Sequence, residues 1–137
     1  MGGVWIKWNS SSIFFRPTFI SSKLIHGSVS YNSVIFFEFS MLYDSNALEE
    51  RRFLWDEIKT LAINIKSPWI LLGDHNFYSF FHDKVGGNPL QNSRLLELNG
   101  MSFEIGLNDL GLVGHINTWF NPCTYNPIHI NLGVNTH

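Results

Sequence analysis

Two oxygen-bearing side chains, Asp74 and Asn76, close the apolar run Pro68-Trp69-Ile70-Leu71-Leu72-Gly73-Asp74-His75-Asn76. Along an extended strand, side chains alternate between faces, so Asp74 and Asn76 project together while His75 projects the other way. A carboxylate beside a carboxamide at a rigid strand end can hold a water or a metal ion against a phosphate. In-line attack on a phosphodiester needs an activated water, a cation for the developing charge and donors around the equatorial oxygens. The same Gly-Asp-His-Asn residues also make ordinary turns, since Gly, Asp and Asn are common turn formers.

The elements that would position this pair are legible on either side of it. An apolar run this short, opened by Pro68 and closed by Gly73, has the pattern of a strand buried on both faces. Ahead of it, Leu54, Trp55, Ile58, Leu61, Ala62 and Ile65 recur at three-to-four-residue intervals with Glu50, Arg51, Asp56, Glu57 and Lys59 between them, an amphipathic helix of about five turns. Asn46 stands where an N-cap would, with Glu49 in capping-box register, acids crowd the positive end, and Pro68 enforces the stop. Arg51 and Arg52 read as solvated helix charges.

Upstream, Val34 to Tyr43 is a long aromatic strand, so strand, helix and strand follow in order and Tyr43 ends the first of them. Val4 to Trp8, Ile13 to Ile20 (with Pro17 at an edge or bulge) and Lys23 to Val29 read as further strands, and Ser30 to Ser33 as a tight turn, giving an antiparallel meander. Beyond Asn76, Phe77 to Phe81 is apolar and His82 to Pro89 is loop by composition. Ser93 to Gly106 reads as a weaker helix with Leu95, Leu96, Leu98, Phe103 and Ile105 as its apolar set. Leu110 to Val113 and Asn117 to Phe120 read as short strands around Gly114, and the stretch from Pro122 onward is rich in Asn and Pro with no clear stop signal.

The 137 residues, 45% of them hydrophobic, suffice for one globular core and are too few to favour two domains. Only 15% are charged, below the usual quarter or so, which implies an unusually apolar surface or a place within something larger. A formal net charge of -2 provides no general basic field for non-specific nucleic-acid binding. Cys123 is the lone cysteine, so there is no internal disulfide partner, and no apolar run is long enough to cross a bilayer as a helix. His75, His82 and Asp83 lie close together but match none of the compact zinc spacings.

Gly73-Asp74-His75-Asn76 after an apolar strand resembles the Gly-Asp-aromatic-or-Leu-Asn motif of the endonuclease/exonuclease/phosphatase superfamily, which has the DNase I-like fold. The flanking segments resemble the apurinic-type endonuclease domain of plant non-LTR retrotransposons. They are Gly2-Gly3-Val4-Trp5, Tyr43-Asp44-Ser45-Asn46, Glu50-Arg51-Arg52, Leu54-Trp55, Asp83-Lys84-Val85-Gly86-Gly87, Leu107 to Val113, and Asn117-Thr118-Trp119. The resemblance implies an α+β chain, a fragment of a four-layer α/β-sandwich with mostly antiparallel sheets and flanking helices. It implies that Asp74 polarises or deprotonates the attacking water, that Asn76 orients the phosphate and that Tyr43 contacts it. It also implies Mg²⁺ as cofactor, DNA as partner, and an intracellular, nuclear location. Tyr43 as a last core aromatic of its strand, Asn46 as a cap and Trp119 as a buried ring remain the structural alternatives.

The chain departs from the family's pattern in three places. His75 stands where the family has Phe or Leu, and a buried polar ring there needs a partner. The family's early Asn and metal-binding Glu would precede residue 2. At the far end Gly133 occupies the place of the acid in the family's Ser-Asp-His motif. The expectation is therefore a single partial domain over residues 1–137, lacking the family's first strands and its Ser-Asp-His segment, and weakly active or inactive by itself. A non-catalytic nucleic-acid or protein binding module on the same fold is the second reading. A phosphatase of small phosphoesters or lipid head groups is the third.

Overall fold

The computed structural model describes residues 4–43, 47–74, 84–85, 92–109, 119–121, 128–130 and 134–136. Strands β1 (Phe14–Ile20), β2 (Leu24–Tyr31) and β3 (Val34–Tyr43) form the expected antiparallel meander. Asn32 and Ser33, with φ of 49° and 65°, make a two-residue hairpin between Tyr31 and Val34. Both central residues lie in the left-handed region, the turn geometry whose twist matches that of the flanking strands. Pro17 sits on the sheet's edge strand and at a register shift, the two places where a missing N–H costs least.

Helix α1 (Leu48–Asn64) follows, and β4 (Trp69–Asp74) then returns parallel to β3. Next come β5 (Lys84–Val85), α2 (Asn92–Ile105), β6 (Asn108–Asp109), β7 (Trp119–Asn121), β8 (Ile128–Ile130) and β9 (Val134–Thr136). The six-stranded sheet has the order β1-β2-β3-β4-β9-β6, and a three-stranded sheet has the order β5-β8-β7. The β3/β4 pair is parallel and every other described pairing is antiparallel.

Leu24, Leu42, Trp69 and Leu71 cover one face of the large sheet and pack against Leu54, Trp55 and Ile58 of α1 and Met101 of α2. On the other face, Phe15 is buried with Trp8 and Phe39 edge-on to its ring at 5.5 and 6.2 Å. Ile70 and Leu72 there are only half-buried, so β4 is fully buried on the helix side and partly on the other. Inside the helix-side core lies a polar cluster. Ser40 Oγ accepts the Trp69 indole N–H at 2.9 Å and meets His26 Nδ1 at 2.7 Å, while His26 Nε2 is 3.6 Å from Glu38 Oε2.

Several local expectations are corrected. Residues 4–8 are not a strand; they lead into the Asn9–Ser12 turn, where the Ser12 N–H donates to the Asn9 carbonyl at 3.0 Å. Helix α1 has extended Ala47 as its N-cap, with no side-chain cap, one position later than expected; Asn46 itself falls outside the described residues. Glu49 and Glu50 in the first turn supply the negative charge instead. Arg51 is buried, 3.5 Å from Glu97 of α2, because α2 packs over that turn of α1; Arg52 is exposed as expected. In α2, Leu96 and Phe103 face solvent, and among the described side chains Glu97, Met101 and Ile105, spaced by four, face α1 and the core. Lys84–Val85 is a short strand within the segment read as loop, and the tail beyond Pro122 adds β8 and β9. Phe77 to Phe81 and Leu110 to Val113 fall outside the described residues.

Candidate catalytic rim

Because β3 and β4 are parallel, both end at the same rim, and α1 joins them across one face. The carboxyl ends of parallel strands are where open α/β sheets place ligands, since loops there are free of the packing that α1 imposes on the strands. The register runs Leu42 beside Gly73 and Tyr43 beside Asp74, so the two expected site residues occupy neighbouring positions on the last rung. Asn76 and His75 lie outside the described residues.

Gly73 makes this rung possible. Its φ is +150°, a conformation L side chains avoid, and a Cβ there would sit 1.9 Å from the Leu42 carbonyl oxygen. The Gly of the Gly-Asp motif is thus the residue that lets β4 close onto β3 one position before the acid.

Tyr43 is 38% exposed, so it is not the last core aromatic of its strand. Its backbone N–H donates to the Lys23 carbonyl at 2.9 Å, and the Lys23 ammonium lies 5.4 Å from its ring centroid. Lys23 Nζ is also 3.6 Å from Glu50 Oε2 in the first turn of α1. Ser22, Lys23, Glu49, Glu50 and Phe53 line an open cavity of about 480 Å³ beside this group. Sequence reading passed over Lys23; the available signal was a lone cation in the short Ser21-Ser22-Lys23 connection, at the end of the meander where β3 finishes.

Among the described residues, no group of three or more His, Cys, Asp or Glu side chains converges as a metal cage. Among the same residues, no helix is long and apolar enough to cross a membrane. Trp119 begins β7, paired with Ile130 of β8.

No protein-family model and no curated protein matches the chain. Its structure is similar to the endonuclease domain of TRAS1, a telomere-specific non-LTR retrotransposon, with a TM-score of 0.74 and 14% sequence identity over 94% of this chain. The fold is DNase I-like. The α+β architecture and mostly antiparallel sheets expected from the motif are therefore those observed, and the chain spans 57% of the length of that endonuclease domain.

Proposed function

We propose that this chain carries the phosphate-handling rim of a DNA endonuclease and that its reaction is hydrolysis of a phosphodiester. What carries the reading is the juxtaposition of Tyr43 and Asp74 on the last rung of two parallel strands, in a fold shared with an endonuclease domain. Asp74 takes the proton of the attacking water, whose oxygen adds to phosphorus opposite the sugar oxygen; the P–O bond to that oxygen breaks, and it leaves as an alkoxide that takes a proton from solvent. Asn76 and the Tyr43 hydroxyl donate to the phosphate oxygens and hold the group in line.

A carboxylate and a carboxamide are hard oxygen donors of the kind that suits Mg²⁺, which retains several waters and is commonly held jointly by the protein and a substrate phosphate. Bound there, the ion would absorb charge developing on the phosphate. Few converging ligands among the described residues imply weak metal affinity and slow turnover by this chain alone.

Incubation of the purified protein with supercoiled plasmid and Mg²⁺ tests the reading. Slow nicking abolished by EDTA and by Asp74→Ala is expected; nicking that persists in Asp74→Ala would assign the activity elsewhere. DNA binding that survives EDTA with no nicking at any enzyme concentration would favour the binding-module reading.

A further inference from the structure

We infer that Lys23 is a phosphate-contacting residue of this rim, meeting a nucleic-acid backbone phosphate beside Tyr43 and Asp74; the inference rests on the nuclease reading above. Lys23 is tied to the site through the backbone. Its carbonyl accepts the Tyr43 N–H at 2.9 Å, and Tyr43 is the register partner of Asp74. The connection that carries Lys23 is braced as well. Ser21 N–H donates to the Leu24 carbonyl at 2.8 Å, and Ser21 Oγ donates to Glu57 Oε2 of α1 at 3.0 Å. A lysine presented from an anchored turn loses less freedom on binding than one on a loose loop.

The side chain is held but not committed. Its ammonium rests over the Tyr43 ring at 5.4 Å and pairs with Glu50 at 3.6 Å, where the two side chains are 29% and 57% exposed. An ion pair this open to water is weak and screened by salt. A phosphate brings a full charge and several acceptor oxygens, so it can displace Glu50 while the ammonium keeps its seat on the ring. The surroundings also call for a cation. The chain carries a net charge of -2, and Glu49 and Glu50 line the adjoining cavity, so a polyanion approaching Tyr43 and Asp74 meets carboxylates unless Lys23 offsets them.

The test is binding of a fluorescein-labelled DNA duplex in EDTA, followed by anisotropy across a salt series. Lys23→Gln should weaken binding by about tenfold at low salt and flatten the slope of log affinity against log salt by about one unit, the signature of one lost phosphate contact. Lys23→Arg should retain the affinity. Glu50→Gln should tighten binding, an opposite change that no loss of folding would produce. Lys66→Gln, a cation near the start of β4 and so at the other end of the sheet, should leave the slope nearly unchanged. A wild-type slope and affinity in Lys23→Gln would overturn the inference while leaving the nuclease reading intact. Absence of DNA binding by the wild-type protein both in EDTA and with Mg²⁺ would remove both.

Discussion

Replacing Ser40 by Ala tests the buried cluster beneath the rim. Ser40 is fully buried; its oxygen accepts the Trp69 indole N–H at 2.9 Å and lies 2.7 Å from His26 Nδ1. The Glu38 carboxylate 3.6 Å from Nε2 favours the His26 proton on that nitrogen, and Nδ1 then accepts the serine O–H while the serine oxygen accepts the indole N–H. Ser40→Ala removes the acceptor from one group and the donor from the other where water has no access. Each such loss costs about 1–3 kcal/mol, so the variant should be less stable by about 2–6 kcal/mol. That is a large share of the roughly 5–15 kcal/mol that holds a domain together. Urea unfolding followed by far-UV circular dichroism measures it, with an unchanged m-value as the sign that the change is in stability. Trp69→Phe, made in both backgrounds, should cost about 1–2 kcal/mol less when Ser40 is already Ala, because the acceptor of its N–H is already gone. A Ser40→Ala loss below about 0.5 kcal/mol, or no coupling between the two changes, would refute the proposed hydrogen-bond chain.

Three further outcomes follow from the same geometry. Gly73→Ala puts a methyl 1.9 Å from the Leu42 carbonyl oxygen at a φ of +150°, so the last rung must part; a loss of about 2–4 kcal/mol in urea unfolding is expected, with weaker DNA binding. Glu97→Ala removes a carboxylate 3.5 Å from buried Arg51 and an acceptor of the Trp55 indole N–H at 3.0 Å. Its cost should be about 2–4 kcal/mol, and Glu97→Gln should recover part of it by restoring the indole bond. Burial lowers the pKa of His26 from its ordinary 6.5, so the unfolded chain takes the proton first. Its stabilising contribution is complete above pH 6.5 and is lost as pH falls below that towards the depressed folded value. Burial raises the pKa of Glu38 from 4.5, with the opposite sign: that contribution is present at low pH and is lost as pH rises above 4.5 through the raised folded value. Melting temperature should therefore fall between pH 7 and pH 6, and His26→Gln should flatten that fall; an unchanged profile in the variant would count against a neutral buried ring.

How much of this was legible in the sequence depended on how far apart the interacting residues lie. The meander, α1 and β4 were readable because periodicity two and periodicity 3.6 are local signals, and β3 was recovered over its full Val34–Tyr43 span. The Gly-Asp motif pointed to a strand end, and β4, Trp69–Asp74, carries Gly73 and Asp74 as its last two residues. What escaped were decisions made by distant partners. Arg51 looks like any helix charge until Glu97, 46 positions on, comes to lie 3.5 Å away. β9 is a three-residue strand whose sequence carries no alternation, and it exists because β4 offers it an edge. Lys23 was missed for the same reason: its partners Tyr43 and Glu50 are brought to it by the hairpin and by α1.

The polar cluster and the rim are connected through register. The helix-side face of β3 and β4 is otherwise apolar near its centre, and apolar contacts specify which face is buried better than which rung pairs with which. A slip of two residues would keep Leu42 and Leu71 facing the helices. It would carry Ser40 away from the Trp69 indole and take from that buried donor its serine acceptor, which makes that slip expensive. With Ser40 held beside Leu71, counting three residues along each strand brings Tyr43 beside Asp74. The pairing on which the proposed chemistry depends is thus held in place from within the core, by a serine, an indole and an imidazole that would not touch the substrate.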